Sequence, residues 1–294
     1  MVHLIKKITV FTPTYNRAYI IKDLYESLLN QINCDFEWLI VDDGSMDNTD
    51  ELVASFIAED KIQISYFKTT NGGKHRAINK GVTIANSELF CIVDSDDTLA
   101  DNAIERILFY YDAIKHDNVF AGVSGLRAFH NGGKIGGEEN WNIIDCNSLD
   151  LRYRFKVKGD MAEVYRTNIL KEFPFPEIDG EFFCAESTVW NRISQKYKLR
   201  YFYEKIYLCD YLPDGLTSKI TKLRMDSCEA SLINYSELFN MQIPFLQKIK
   251  AATNFWRFSF YSKRRLDSFI KQIGIASLIC YPFGFLLHLK DLHQ

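Results

Sequence analysis

The chain lacks paired cysteines. Its seven (Cys34, Cys91, Cys146, Cys184, Cys209, Cys228 and Cys280) sit in apolar or mixed segments, with no CxxC spacing and no histidine at zinc-finger distance. That excludes a zinc ribbon or a CxxC redox centre and reads as reduced thiols in the core. A GxGxxG turn after the first strand-like segment is also missing, which removes the usual dinucleotide-dependent oxidoreductase. Net positive charge is absent: 35 lysines and arginines face 38 aspartates and glutamates, a formal charge of -3. No nucleic-acid partner is expected, and an anionic ligand must be held by a local cluster of cations. The opening MVHLIKKITVFTPTY runs straight into a strand pattern without a signal-sequence core. With the odd cysteine count, this gives the expectation of a cytoplasmic protein. Internal repeats and low-complexity tracts are missing as well.

What is present is a chain of 294 residues, 47% of them hydrophobic, enough for one large core plus a smaller module. Its first half alternates strand-like and helix-like segments. KITVFTPT is a β-branched run stopped by Pro13, and AYIIKDLYESLLNQI places Ile20, Ile21, Leu24, Leu28 and Ile32 near helical period. FEWLIVDDGS, then MDNTDELVASFIAED with its capping Asp and Thr, repeats the unit. KIQISYFKT, NGGKHRAINKGVTIAN and ELFCIVDSDD follow in the same order. Serial βα units predict an α/β fold with a mainly parallel, Rossmann-like sheet covered by helices on both faces. Such sheets bind ligands beyond the carboxyl ends of their strands. There the sequence places TPTYNR, VDDGS, NGGKHR and VDSDD, so its versatile side chains converge on one edge.

The acids of VDSDD, Asp94, Asp96 and Asp97, repel one another and lose hydration if shielded, an expensive arrangement for structure alone. A hard divalent cation removes the repulsion, taking one or two carboxylates with phosphate oxygens and waters. The plainer alternative is that Asp96 or Asp97 caps the following helix. VDDGS adds Asp42 and Asp43, whose carboxylates accept hydrogen bonds from a base or ribose. NGGKHRAIN adds backbone N–H groups, Lys74 and Arg76 for phosphate.

Together ITVFTPTYNR, EWLIVDDGSMDNT and NGGKHRAINKGVTIANSELFCIVDSDD resemble the nucleotide-sugar half of a family 2 glycosyltransferase of GT-A fold, of the bacterial polysaccharide type. The resemblance implies an inverting hexosyl transfer from a UDP-linked donor, assisted by Mn2+ or Mg2+. Carried over residue by residue, it implies that Thr12, Pro13 and Tyr15 pack on the base with Arg17 close by, and that Asp43 contacts uracil. Asn71, Gly73 and Lys74 fall on the family's asparagine-glycine segment, with Asn79 in the helix after it. Within the DxD segment Asp94, Ser95 and Asp96 meet the donor, Asp96 (with Asp94) holds the metal, and Asp97 becomes the cap. In the second half VKGDMAEVYRTNIL resembles a segment whose Asp160 lies near the sugar. EIDGEFFCAESTVWNRI resembles the region of the catalytic base. Many family members have a Glu-Asp pair there; Glu186 is followed by Ser187, which leaves Glu186 as the candidate base and Asp160 and Glu181 as alternatives. YLPDGLTS resembles a late loop near the diphosphate.

The expected organisation is residues 1–221 as the glycosyltransferase domain, with 1–119 for donor and 120–221 for acceptor, and 222–294 as a helical extension. HNGGKIGGEENWN reads as a mobile loop. The apolar stretch Ile273 to Leu287 contains Pro282 and falls short of the ~20 residues that span a bilayer. With Lys263, Arg264, Arg265 and Lys271 before it, it reads as a membrane-surface segment or as a packed helix or homodimer contact. The expected acceptor is a saccharide, a lipid-linked oligosaccharide at the inner membrane face. The competing functions are a nucleotidyltransferase, whose glycine-rich first loop TPTYNR lacks, and a non-catalytic sugar-nucleotide binder.

Overall fold

The structure, a computed structural model, describes residues 5–137, 141–210 and 219–292. The first compact unit comprises Met1–Pro174 and Arg192–Asp210; the second comprises Phe175–Asn191 and Tyr211–Gln294. The division thus falls nearer residue 210 than 221, and a segment from the middle of the chain joins the carboxyl-terminal helices.

In the first unit, β1 (Ile8–Thr14), α1 (Ile21–Leu29), β2 (Phe36–Asp42), α2 (Thr49–Glu59), β3 (Ile64–Lys68), α3 (Lys74–Ile84) and β4 (Leu89–Ile92) follow the predicted alternation. Then come β5 (Thr98–Leu99), α4 (Ala103–Asp112), β6 (Phe120–Ala128), β7 (Ile143–Cys146), α5 (Ser148–Tyr153), β8 (Met161–Arg166) and α6 (Thr167–Glu172). After α7 (Ser187–Ser194), β9 (Lys198–Leu208) completes the sheet. Strand order is β3-β2-β1-β4-β8-β6-β9-β5, with β7 on β9. Parallel pairing holds from β3 to β4 and again between β6 and β9, whereas β8 runs antiparallel to both β4 and β6. The sheet is therefore mixed, because β8 turns the chain back along β4 instead of crossing over it.

Burial follows period. β1 is buried along its whole length, as a strand covered on both faces must be. α1 buries Ile21, Leu24, Tyr25 and Leu28, and Tyr25 stacks on Phe56 of α2 with ring centroids 4.1 Å apart. α1 ends at Leu29, so Ile32 lies outside it and is exposed. Of the segment expected as a mobile loop, the first part, residues 130–135, is a tight hairpin turn, and residues 138–140 lie outside the described residues. Phe129 N–H donates to Gly133 O at 2.7 Å, Ala128 bridges Lys134, and Ile135 is buried.

The second unit continues with α8 (Ile220–Asp226), α9 (Cys228–Asn240), α10 (Phe245–Ser259) and α11 (Leu266–Ile273). A 3-10 turn (Ile275–Cys280) and α12 (Tyr281–Asp291) follow. Its core gathers Leu232, Ala252, Phe255, Trp256 and Phe258, joined by Phe269 of α11. The expectation of a helical extension matches these elements.

Candidate active site

The loops at the carboxyl ends of β1, β2, β3 and β4 are fastened to one another by short hydrogen bonds. Asn16, in a left-handed conformation at φ 54°, accepts from Met46 N–H with its side chain, while its own N–H donates to Ser45 Oγ, both at 2.8 Å. Ala18 N–H donates to Asp47 at 3.0 Å, joining the same two loops. Asp42 closes the β2 turn, accepting from Ser45 N–H at 2.7 Å and from Tyr66 of β3 at 2.5 Å.

Asp43 reaches across to the glycine turn before α3. Its two carboxylate oxygens accept from Gly72 N–H (2.8 Å) and Gly73 N–H (2.7 Å), and Asn71 Nδ2 donates to its carbonyl at 3.0 Å. Burial pushes its carboxyl above the ordinary range, and the two glycine N–H bonds oppose that shift. Asp43 is a buried clamp on the turn, so a base contact would fall to its remaining lone pairs. Thr12, expected against the base, is fully buried and accepts from the indole N–H of Trp38 at 2.9 Å. Pro13 is buried beside it, while Tyr15 is exposed. Of the first-strand segment, the side chains open to a ligand are Tyr15 and the half-buried Arg17.

VDSDD leaves β4 in a tight turn, Asp97 N–H donating to Asp94 O at 3.1 Å. Asp94 and Asp96 are half-buried, whereas Ser95 and Asp97 turn inward. Lys74, at the start of α3, pairs with Asp94 at 2.6 Å, and Arg17 lies 3.8 Å from Asp96. Burial works against ionisation of Asp94, yet Lys74, Arg127 and Arg17 hold its carboxyl below the ordinary range. Asp96 goes the other way: burial, then the charge of Asp94, push it up, and Arg17 offsets only part. Ser95, expected to meet the donor, is 5% exposed, its side chain turned to the inside of the turn.

Asp97 is not the cap of the next helix. β5 intervenes, α4 begins at Ala103, and the first turn of α4 is met by Gln31, whose Oε1 accepts from Ile104 N–H at 3.1 Å. Asp97 instead accepts from the hydroxyl of Tyr207 at 2.6 Å, and the same hydroxyl accepts from Asp94 N–H at 3.0 Å. Burial first and the Asp94 charge second push Asp97 up to about 7. Arg127 of β6 stacks over the Tyr207 ring at 4.2 Å and donates to Met161 O at 3.0 Å. Sequence reasoning missed Arg127 and Tyr207; the readable signal was an arginine inside the apolar strand FAGVSGLRA.

Because β8 is antiparallel to β4, Asp160, one residue before β8, comes to the carboxyl end of β4 and is exposed there. Asn79 lies half-buried on α3. Within the second unit, Glu186 stands at the N-cap position of α7, its carbonyl accepting from Val189 and Trp190 N–H at 3.0 and 3.1 Å. Glu181 is not available as a base. It is buried and both its oxygens accept from the first N–H groups of α9, Glu229 at 2.7 Å and Ala230 at 2.8 Å. The YLPDGLTS loop, with Asp214, lies outside the described residues.

A carboxyl-edge cluster of this order matches a known family: residues 9–162 fit the model for glycosyl transferase family 2. The chain belongs to this family. A curated relative, the GalNAc(5)-diNAcBac-PP-undecaprenol beta-1,3-glucosyltransferase of Campylobacter jejuni, is 27% identical over 202 residues, 67% of this chain and 62% of the relative. Other curated relatives are matched over 39% and 33% of their own length. Among solved structures, S. aureus TarS in complex with UDP-GlcNAc is similar at TM-score 0.63 and 22% identity, covering 95% of this chain and 79% of that one. A mannosyltransferase from Pyrobaculum calidifontis, in complex with GDP-Man and Mn2+, is similar at TM-score 0.59 and 16% identity, covering 95% and 73%. These two likenesses are of fold, and the fold is that of the GT-A glycosyltransferases.

Among the described residues no group of three or more His, Cys, Asp or Glu side chains is placed to hold a metal. A cation that binds together with a diphosphate does not need one. Mg2+ and Mn2+ take one or two carboxylates and complete their shell with phosphate oxygens and water. Asp94 and Asp96 fit that set: both face the open side, and burial together with the charge of Asp94 raises the Asp96 carboxyl.

Proposed function

We propose that this glycosyltransferase moves a sugar from a UDP-linked donor to a hydroxyl of a saccharide acceptor in one inverting displacement. The observation that carries the reading is the cluster of Asp94 and Asp96 with Lys74 and Arg17 at the carboxyl edge of the parallel strands. UDP-GlcNAc in TarS, and GDP-Man with Mn2+ in the mannosyltransferase, support a nucleotide-sugar donor and a metal. The undecaprenol-linked saccharide in the name of the Campylobacter relative supports a lipid-linked oligosaccharide as acceptor and bacterial polysaccharide synthesis as the setting.

Lys74 and Arg17 meet the diphosphate, exchanging their present carboxylate partners for phosphate oxygens. Asp94 faces ribose or sugar, and Asp96 with Asp94 holds Mn2+ or Mg2+. The bound cation supplies Lewis-acid stabilisation of the negative charge on the departing diphosphate. Tyr15 and the Asn71–Lys74 turn that Asp43 clamps form the walls for the nucleoside. A sugar hydroxyl is a poor nucleophile at neutral pH, so Glu186 takes its proton as the new bond forms, a contribution of ~10² to 10⁴ in rate. Asp160 is the second candidate, favoured by its place on the donor edge.

Glu186→Gln and Asp160→Asn, measured for transfer and for donor affinity, test the assignment. Loss of about 10² or more in transfer with donor affinity kept identifies the base. Near-normal turnover in Glu186→Gln passes the role to Asp160, and near-normal turnover in both removes a carboxylate base from either position. A wild-type chain that binds UDP-sugar yet never releases nucleotide diphosphate is a binder, not a transferase.

A further inference from the structure

The last stretch of the second unit is built inside out. From Ile275 to Leu292 the buried positions are Ser277, Cys280, Gly284 and Asp291. Each small or polar one has a reason to face α10. Ser277 accepts from the indole N–H of the fully buried Trp256 through its carbonyl, at 2.8 Å. Gly284 lies so close that a Cβ there would come within 2.6 Å of Trp256 Cβ and 2.8 Å of Arg257 N. Asp291, 5% exposed, forms a two-pronged ion pair with Arg257, Nε to Oδ2 at 2.6 Å. These contacts fix the rotation of α12.

The large apolar residues therefore point outward. Ile275, Ile279, Phe283, Leu286 and Leu292 are 72%, 74%, 60%, 62% and 59% exposed. Lys290 is the one charged exposed residue in the stretch. A surface helix in water shows the reverse pattern, with its apolar stripe on the protein and its charges outside. Ahead of it stand exposed Lys263, Arg264, Arg265 and Lys271; Arg264 pairs with Glu229 at 3.1 Å and Arg265 with the exposed Asp267 at 3.3 Å, which leaves the fringe net positive through Lys263 and Lys271, and Leu266 is exposed too.

We propose that this face docks peripherally on an anionic phospholipid bilayer. The apolar side chains enter the boundary between headgroups and acyl chains, and the basic fringe meets lipid phosphates. The charge of that fringe favours lipid over a second copy, because a twofold self-contact would set lysines and arginines against themselves. Crossing the bilayer is disfavoured by geometry. Among the described residues no single helix is long and apolar enough to cross a membrane; Leu266–Ile273 and Ile275–Asp291 reach that length and composition only as a pair, and they bend by 112° at their junction. The inference stands on the second unit alone and does not depend on the catalytic reading.

Co-sedimentation of the full chain with phosphatidylcholine vesicles, with and without about one-third phosphatidylglycerol, tests it. Binding is expected on the anionic vesicles and should weaken by about ten-fold or more without the anionic lipid or in high salt. The double variant Ile279→Glu, Phe283→Glu, at positions already exposed, should keep the native circular dichroism and lose binding by about ten-fold or more. Phe283→Trp supplies a second readout if that variant unfolds: its emission, taken as the difference from the wild type with its four native tryptophans, should shift to the blue with anionic vesicles. No wild-type binding, undiminished binding by a folded double variant, or an unshifted emission from the Phe283→Trp variant overturns the proposal. So does a wild-type dimer in sedimentation velocity that the double variant dissociates while vesicles go unbound.

Discussion

Asp94, Asp96 and Asp97 put three like charges into four residues, and each is handled by a different neighbour. Lys74 neutralises Asp94, Arg17 stands near Asp96, and Tyr207 donates to the inward-turned Asp97. Asp96→Asn should therefore lower metal-dependent donor affinity by about ten-fold or more, read by titration calorimetry with and without Mn2+, while metal-free stability holds or rises because a repulsion is relieved. Tyr207→Phe removes the hydroxyl that joins Asp97 to the Asp94 N–H. It should cost about 1–3 kcal/mol in urea unfolding, the penalty for stranding buried polar groups. The thiols offer an independent check. Burial pushes Cys91, Cys146 and Cys209 up to about 12, whereas Cys34 is exposed. At pH 8 Cys34 should react first with a disulfide reagent, and those three only after unfolding.

At the scale of elements, the site depends on two turns held against each other. Gly44 adopts φ +85°, and a Cβ there would sit 2.9 Å from Asn71 N. Gly44→Ala should destabilise the chain by about 1–3 kcal/mol and also weaken donor binding, because it pries the β2 turn from the glycine turn that Asp43 clamps. Glu181 marks the contrast between a structural and a catalytic acid. Glu181→Ala uncaps α9 and should cost about 0.5–2 kcal/mol of stability with the chemical step unchanged. A fall in turnover that survives correction for the folded fraction would return Glu181 to the candidate bases.

For the whole molecule, a ligand that binds the native state alone raises its stability by mass action. At 100 times its Kd, the right UDP-sugar with Mn2+ should add ~2.7 kcal/mol, so a thermal-shift panel of nucleotide sugars identifies the donor. A panel in which no nucleotide sugar shifts the transition contradicts the donor site. The helical second unit is built differently. Its core around Phe255 and Trp256 is buried, yet its last helix shows apolar residues outward.

The sequence by itself determined the alternation of β1 to β4 with α1 to α3, because period and turn chemistry are local. It also placed the acids and cations of four motifs on one sheet edge, since in a parallel sheet every strand ends on the same side. It did not determine which side chains point where. Thr12 and Ser95 read as ligand contacts and are buried; Asp97 read as a helix cap and is held by a tyrosine 110 residues away. The partners of Thr12 and Asp97 come from β2 and β9, and non-local pairings leave no periodic trace. Only the tertiary structure decided that β8 runs backward to bring Asp160 to the donor edge. It alone showed that Glu181 serves α9, and that close packing at Gly284 turns the apolar face of α12 outward. Those outcomes depend on which surfaces meet after the chain has folded, and composition and spacing along one strand or helix do not encode that meeting.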